Sequence, residues 1–290
     1  MTDTTRNVAG LTRDALEQFV SAALAEDMGE GGDVTSAVTV PADARLRAEI
    51  ATRQPIVLAG VELAEAFFRR LDPNVAIGRC AQDGARLDAG APILRLQGEG
   101  RAMLTAERSA LNSLQHLSGI ATLTRQYADE IEDTGCILLD TRKTIPGLRV
   151  VEKYAARVGG ANNHRMRLDD GILIKDNHIA IAGSLDDAVR SACAANTGLE
   201  VQVEVDLLEQ IEPALNAGAQ RLLCDNMTPD MLRDAVGIVA GRVPIEASGG
   251  VRLDTIREIA RTGVDFVSVG RITQSAPAAD IGLDYTPIKK

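Results

Sequence analysis

The stretch DTRKTIPGLR, residues 140–149, follows the apolar run Ile137-Leu138-Leu139 with an acid, an Arg-Lys pair and a Pro-Gly turn. A buried strand that ends in Thr141, Arg142 and Lys143 aims two cations at one place. More cations come close behind, with His164 and Arg165 in NNHR and Lys175 in KDNH. Across 142–175 eight Lys or Arg residues stand against three acids, in a chain whose formal net charge is −10. Arg offers a planar fork that matches a carboxylate bidentately, whereas Lys is a point charge suited to phosphate. Such groups repel one another when they converge, so the ligand that holds them together must be at least dianionic.

Two further sets complete the inventory. Glu204 in EVD and Asp225 in CDN are acidic, with Asp140 and Asp206 near them in sequence. Two carboxylates at adjacent strand ends can bind Mg²⁺ directly or through water, or accept hydrogen bonds from sugar hydroxyls. Glycosidase-type acid and base work is the competing use, and it leaves the cations unexplained. The last set is Ser248-Gly249-Gly250, ahead of a helix expected to begin near Arg252, together with Gly270. Backbone N–H groups unobstructed by Cβ atoms at a helix start make a phosphate cup. The three sets suit a ligand with a terminal phosphate, hydroxyls and a magnesium-linked polyphosphate, beside a carboxylate-rich second substrate. 5-Phosphoribosyl-1-pyrophosphate and an aromatic acid have those features. The residues alone lead to a phosphate-handling enzyme.

The elements that must carry these residues are legible. From Cys136 onward the apolar runs 137–139, 172–174, 201–205, 221–224, 243–246 and 266–269 alternate with amphipathic helical stretches. That alternation implies a parallel sheet, doubly wound or closed as a barrel. Asp206 and Glu209 predict a capping box for a helix that stops at Gly218. Thr228-Pro229 reads as an N-cap followed by Pro at the first helical position, and another helix ends at Gly263. Each run hands over at its C-terminal end to polar or glycine residues, the place where barrels keep their active sites.

The N-terminal half has another rhythm. Ala15, Leu16, Phe19, Val20 and Leu24 share one face of a helix over 12–25, with Thr12 as its N-cap. EDMGEGGDVTS is a glycine-rich loop and a weak phosphate cradle, since no strand precedes it and no P-loop Lys follows. Strands are expected over 45–51, 56–59, 75–80 and 93–98. A long helical region over 105–134 is expected to break at Ser118-Gly119 and to close at Gly135.

Composition narrows the class. The chain has 290 residues with no Trp, three Tyr and four Phe, so its core must be built from Ala, Val, Leu and Ile. Four cysteines show no C-x-x-C spacing, and most sit beside apolar runs, which predicts reduced, buried thiols and a cytoplasmic protein. No run approaches the ~18 apolar residues of a membrane span, and the N-terminus shows no signal-peptide pattern. The acidic balance argues against a nucleic-acid partner.

TAER, DTRKTIPGLR with EKYA, NHR, LIKDNH, VEVD, CDNM, EASGG and GVDFVSVG stand in the order and approximate spacing of quinolinate phosphoribosyltransferases. The chain resembles that family over nearly its whole length. The resemblance implies an N-terminal α/β sandwich domain over 1–117 and an open seven-stranded α/β barrel over 118–275, with a tail, 276–290, packed back on the first domain. The implied reaction takes quinolinate and 5-phosphoribosyl-1-pyrophosphate to nicotinate mononucleotide, pyrophosphate and CO₂ with Mg²⁺, in NAD synthesis.

The resemblance also implies a homodimer, or a hexamer of dimers, with Arg108 entering the neighbouring subunit's site. Arg142, His164, Arg165 and Lys175 are implied to grip the quinolinate carboxylates, beside Thr141, and Lys143 to face pyrophosphate. Glu204 and Asp225 would serve ribose and metal, and with Lys143 and Lys175 they form the implied catalytic set. Ser248, Gly249, Gly250, Val269, Gly270 and Arg271 would line the 5-phosphate cup. GGANNHR replaces a more glycine-rich run of the family, and four single positions also depart from its usual pattern. Gln202 replaces a Glu, Cys224 a Leu, Arg271 a small residue and Gln274 a His. Gln202 should share Glu204's strand face and so alter the metal's surroundings. Two rivals remain: a molybdenum-transport-associated paralogue of the same fold, and a non-catalytic phosphate-ligand binding module.

Overall fold

The computed structural model describes residues 7–288, so the extreme N-terminus read for a signal peptide and the last residues of the tail 276–290 lie outside it. The chain forms two compact units. The first takes the residues up to Leu123, then Pro146–Gly159 and those from Ser275 onward. The second takes Thr124–Ile145 and Gly160–Gln274.

The first unit is built on a four-stranded antiparallel sheet. Its order is Ile281–Pro287, Arg45–Thr52, Pro92–Glu99, Ala76–Arg79. Leu46, Ala48 and Ile50 alternate inward along the second of these strands, as a half-buried strand requires. The helices Arg13–Met28 and Val61–Leu71 meet through an edge-to-face contact of Phe19 and Phe67, with centroids 6.4 Å apart. Asp83 caps the second of them, accepting the N–H groups of Gly60 at 2.8 Å and Val61 at 3.0 Å. Thr12 caps the first, as its sequence predicts. In the glycine-rich loop, Asp33 caps the helix Val34–Thr39 and also accepts the Thr105 hydroxyl at 3.0 Å, so this loop serves a cap.

The long helix runs unbroken from Gly100 to Ile131, which corrects both the expected start near 105 and the expected break at Ser118-Gly119. The Ser118 hydroxyl bonds both the N–H and the carbonyl of Ala59, so it serves a neighbouring segment and leaves its own helix intact. Gly119 is there for close approach. A Cβ at this position would stand 2.1 Å from the Pro277 carbonyl oxygen. Propensity argued for a break, and tertiary packing overrode it.

The second unit holds a parallel sheet in the order Ile137–Leu139, Phe266–Ser268, Ile245–Ser248, Arg221–Asp225, Val201–Val205, Ile172–Ile174. A seventh position is added outside Ile137–Leu139 by the parallel bridge between Leu139 and Asn162. Asn162 donates to the Leu138 carbonyl at 2.8 Å, and Asp140 N–H donates to that of Asn162 at 3.1 Å. Among the described residues no ladder joins Asn162 to Ile172–Ile174, so the curved sheet is open at that seam. The sheet therefore has six strands and one bridged residue in place of the seven strands expected, and the barrel is open.

Thr228 caps Pro229–Val239 and Gly218 closes Ile211–Ala217, both as expected. The predicted capping box is different. Gln210, not Glu209, reaches back to accept the N–H groups of Asp206 and Leu207, because a short 3₁₀ turn over Leu208–Gln210 precedes the α-helix. The helix expected near Arg252 begins only at Ile256, since Arg252 and Thr255 first close a turn of their own. The thiols also divide, with Cys136 and Cys224 buried but Cys80 and Cys193 exposed.

Candidate active site

At the carboxyl ends of the barrel strands, the loop bearing His164 and Arg165 is tied beside the loop bearing Arg142 and Lys143. Asp140, just beyond Ile137–Leu139, is fully buried. Its carboxylate accepts the His164 N–H at 2.8 Å and the Asn163 side-chain amide at 2.5 Å. It continues the sheet's hydrogen bonding where the Asn162 bridge leaves off, and so ties the loop 163–165 to the loop 141–143. Asp140 stood in the acidic set; in the structure it is a clamp.

Beyond the clamp, the Thr141 hydroxyl accepts the Lys143 N–H at 3.0 Å. The Lys143 carbonyl accepts the Thr273 hydroxyl at 2.8 Å, which joins the first strand end to the last. The Lys143 side chain lies across Gly270, where a Cβ would stand 2.7 Å from its Cδ. Arg165 donates to the Gly171 carbonyl at 2.8 Å. Burial, and then the nearby charge of Arg142, hold the Arg165 guanidinium below its ordinary value. These two guanidiniums are neighbours, as a shared anion would require.

Lys175 makes an ion pair with Glu204, across the two strands that lie side by side at the seam. Glu204, Asp206 and Asp225 can each bring one carboxylate oxygen within 4.8 Å of the others. Asp206 thus joins the pair named from sequence. Gln202 does not take part in this cluster. It lies one layer deeper, and its amide donates to Glu246 at 2.8 Å.

The glycine turn is real, though it is not a helix start. Gly249 and Gly250 have φ of +88° and +60°, a region that suits glycine. A Cβ on Gly249 would stand 2.3 Å from the Asn226 side-chain oxygen, so the turn sits directly against the Asp225 loop. The Asn226 N–H donates to the Ser248 carbonyl at 2.9 Å. Val269 is buried, with its N–H on the Leu139 carbonyl, while Arg271 and Gln274 are exposed. Arg108 belongs to the first unit, exposed on its long helix. There it lines a groove of about 360 Å³ with Phe19, Asp27, Asn112, His116 and Leu148.

Sequence reading missed two residues of the barrel interior. Arg221 and Glu246 are joined at 2.7 Å, and the Arg221 guanidinium stacks 4.0 Å from the Phe266 ring centroid. Arg221 opens the strand Arg221–Asp225, and Glu246 lies within the strand Ile245–Ser248. A charged residue inside each of two buried strands was the available signal.

The chain matches two family models, the quinolinate phosphoribosyl transferase N-terminal domain over 33–118 and its C-terminal domain over 120–284. It is 43% identical to the carboxylating nicotinate-nucleotide pyrophosphorylase of Mycobacterium leprae over 93% of this chain and 97% of that one. The chloroplastic enzyme of the same name from Arabidopsis thaliana is 39% identical, over 92% of this chain and 82% of that one. The solved nicotinate-nucleotide pyrophosphorylase of Francisella tularensis superimposes with a TM-score of 0.91 at 39% identity, covering 97% of this chain and all of that one.

Proposed function

The chain belongs to the quinolinate phosphoribosyltransferase family, and we propose that the strand-end cluster of its second unit is the seat of that family's reaction. The chain is an enzyme with the activity of the carboxylating nicotinate-nucleotide pyrophosphorylases it resembles. It transfers the phosphoribosyl group of 5-phosphoribosyl-1-pyrophosphate to quinolinate, giving nicotinate mononucleotide, pyrophosphate and CO₂ for NAD synthesis. The observation that carries the site assignment is the Asp140 clamp. One buried carboxylate ties the loop bearing Arg142 and Lys143 to the loop bearing His164 and Arg165.

Each set then has a task. Arg142 and Arg165, with His164 and Lys175, hold the two carboxylates of quinolinate and present the ring nitrogen to the sugar's C1. Lys143, extended over Gly270, faces the departing pyrophosphate and stabilises its charge as the C1–O bond breaks. The Ser248-Gly249-Gly250 turn with Val269, Gly270 and Arg271 receives the 5-phosphate, through backbone N–H groups that no Cβ shields. Attack of the ring nitrogen on C1 yields a pyridinium. That cation stabilises the electron pair left on ring carbon C2 when the adjacent carboxylate leaves as CO₂, and a proton from solvent completes the new C2–H bond. No covalent enzyme nucleophile is needed.

Glu204, Asp206 and Asp225 offer three hard oxygen donors in reach of one another, a set that fits Mg²⁺. Held by them directly or through water, the ion would supply Lewis-acid neutralisation of pyrophosphate charge. Lys175 neutralises Glu204 when no ligand competes for either. The exposure of Arg108 on the first unit, and its match to the family pattern, support its service in a neighbouring subunit of a dimer. The free thiols support a cytoplasmic enzyme, and among the described residues no helix is long and apolar enough to cross a membrane.

Purified protein incubated with quinolinate, 5-phosphoribosyl-1-pyrophosphate and Mg²⁺ should form nicotinate mononucleotide, followed by chromatography. Turnover of nicotinic acid in place of quinolinate would overturn the substrate assignment. Turnover undiminished in Arg142→Ala or Lys143→Ala would overturn the site.

A further inference from the structure

One charged group in the barrel reaches no substrate atom in the reading above. Glu246 is fully buried on the strand Ile245–Ser248. One of its oxygens receives the Gln202 amide at 2.8 Å and the Arg221 guanidinium at 2.7 Å, and faces His164 Nε2 at 3.4 Å. The imidazole is engaged on its other side as well, since the Arg165 N–H donates to His164 Nδ1 at 2.8 Å. With Nδ1 accepting, the proton of the neutral ring sits on Nε2, pointing at Glu246. A chain of contacts therefore runs from the barrel interior to the mouth, through Arg221, Glu246, His164 and Arg165.

We propose that Glu246 is a positioning residue, which fixes the His164 ring and through it the backbone and guanidinium of Arg165. This deepens the quinolinate reading and rests on it. The arrangement has the economy a buried charge demands. An isolated carboxylate in the barrel would be costly, and Arg221 compensates it. Gln202 adds a donor, where a second carboxylate would repel the first at 2.8 Å. The departure at 202 thus acts on this inner layer, one step below the acidic trio. Burial alone would push the Glu246 carboxyl up, but His164, Arg221 and Gln202 outweigh it and hold it below the usual range. His164 is pinned at three points: its N–H by Asp140, Nδ1 by Arg165, and Nε2 by Glu246. Removing the last would let the ring turn and take up either tautomer.

The protein has three histidines, so ¹⁵N imidazole spectra of the intact enzyme are simple to assign, with His164→Gln identifying one resonance set. The wild-type enzyme should show His164 in the Nε2–H tautomer, and Glu246→Gln should move it toward a mixture. The same variant should raise the KM for quinolinate about tenfold or more, the scale of a lost hydrogen bond to a charged group. The KM for 5-phosphoribosyl-1-pyrophosphate should stay unchanged. Should Glu246→Gln not fold, the double variant Glu246→Gln/Arg221→Met removes both buried charges together and keeps the comparison open. An unaltered His164 tautomer, or equal losses for both substrates, overturns the proposal. An enzyme that makes no nicotinate mononucleotide sinks the substrate reading alone, because the tautomer comparison uses no substrate and still decides the link between Glu246 and His164.

Discussion

The aliphatic chain of Lys143 lies across Gly270, so the first strand end of the barrel is laid directly over the last. A methyl carbon at Gly270 would stand 2.7 Å from Lys143 Cδ, too close for both to remain in place. The glycine holds room for a lysine on the neighbouring strand end, over and above any room for phosphate.

Gly270→Ala should therefore displace Lys143 with little effect on folding. The contacted atom is far out on a flexible side chain, and Gly270 is not among the positive-φ glycines. The melting temperature should stay near that of the wild type, while kcat falls about tenfold or more as the cation leaves the pyrophosphate. A variant with wild-type kcat would show that Lys143 does not act from this position.

Gly119→Ala is the contrasting case. Here the added carbon meets the Pro277 carbonyl oxygen, a backbone atom that cannot swing aside. Denaturant unfolding should show a loss on the order of 3 kcal/mol, the upper range for overpacking. An unchanged midpoint would contradict the close approach.

Arg142→Lys should weaken quinolinate far more than 5-phosphoribosyl-1-pyrophosphate. Lysine keeps the charge beside Arg165 but loses the planar fork that a carboxylate matches. Steady-state KM values for the two substrates decide the matter, and equal losses would undo the division of labour between Arg142 and Lys143.

Acid should expose the buried Glu246. Its carboxyl is held below its ordinary value, so the unfolded chain takes up the proton first as pH falls. The stability it contributes is present above the unfolded value of about 4.3 and is lost as pH drops below that toward the native value. Thermal melts through this window should fall more steeply for the wild type than for Glu246→Gln/Arg221→Met. Parallel curves would show that Glu246 contributes nothing to acid lability.

The thiols should divide in two. Burial pushes Cys136 and Cys224 up to about 12, whereas Cys80 and Cys193 are exposed. Iodoacetamide applied to the native protein near the ordinary thiol value of about 8.5 should add two groups per chain, mapped by mass spectrometry to Cys80 and Cys193. Modification of Cys224 without unfolding would contradict its place in the barrel wall.

Mixing inactive Arg108→Ala subunits with inactive Lys143→Ala subunits should restore activity if the site is shared across a dimer, since half the mixed sites then hold both residues. Verified mixed dimers that stay inactive would count against the sharing.

The sequence by itself determined the parts and their order along the chain. Strand runs, the caps at Thr12 and Thr228, the stop at Gly218 and the polar strand ends are local signals. A parallel α/β sheet with its site at the carboxyl ends follows from such signals directly. Tertiary structure decided which parts touch. Ser118-Gly119 reads locally as a break, yet one helix runs through it, because the serine bonds to Ala59 and the glycine admits Pro277. Asp140 reads as a possible ligand and is a clamp, because its partners, Asn163 and His164, are more than twenty residues away. Gln202 reads as a change at the metal cluster and instead faces Glu246, forty-four residues on. Hydrophobic period and capping act over a few residues, so they can be read in order. A buried carboxylate finds its partners across the sheet, and only the folded barrel brings them within 3 Å of it.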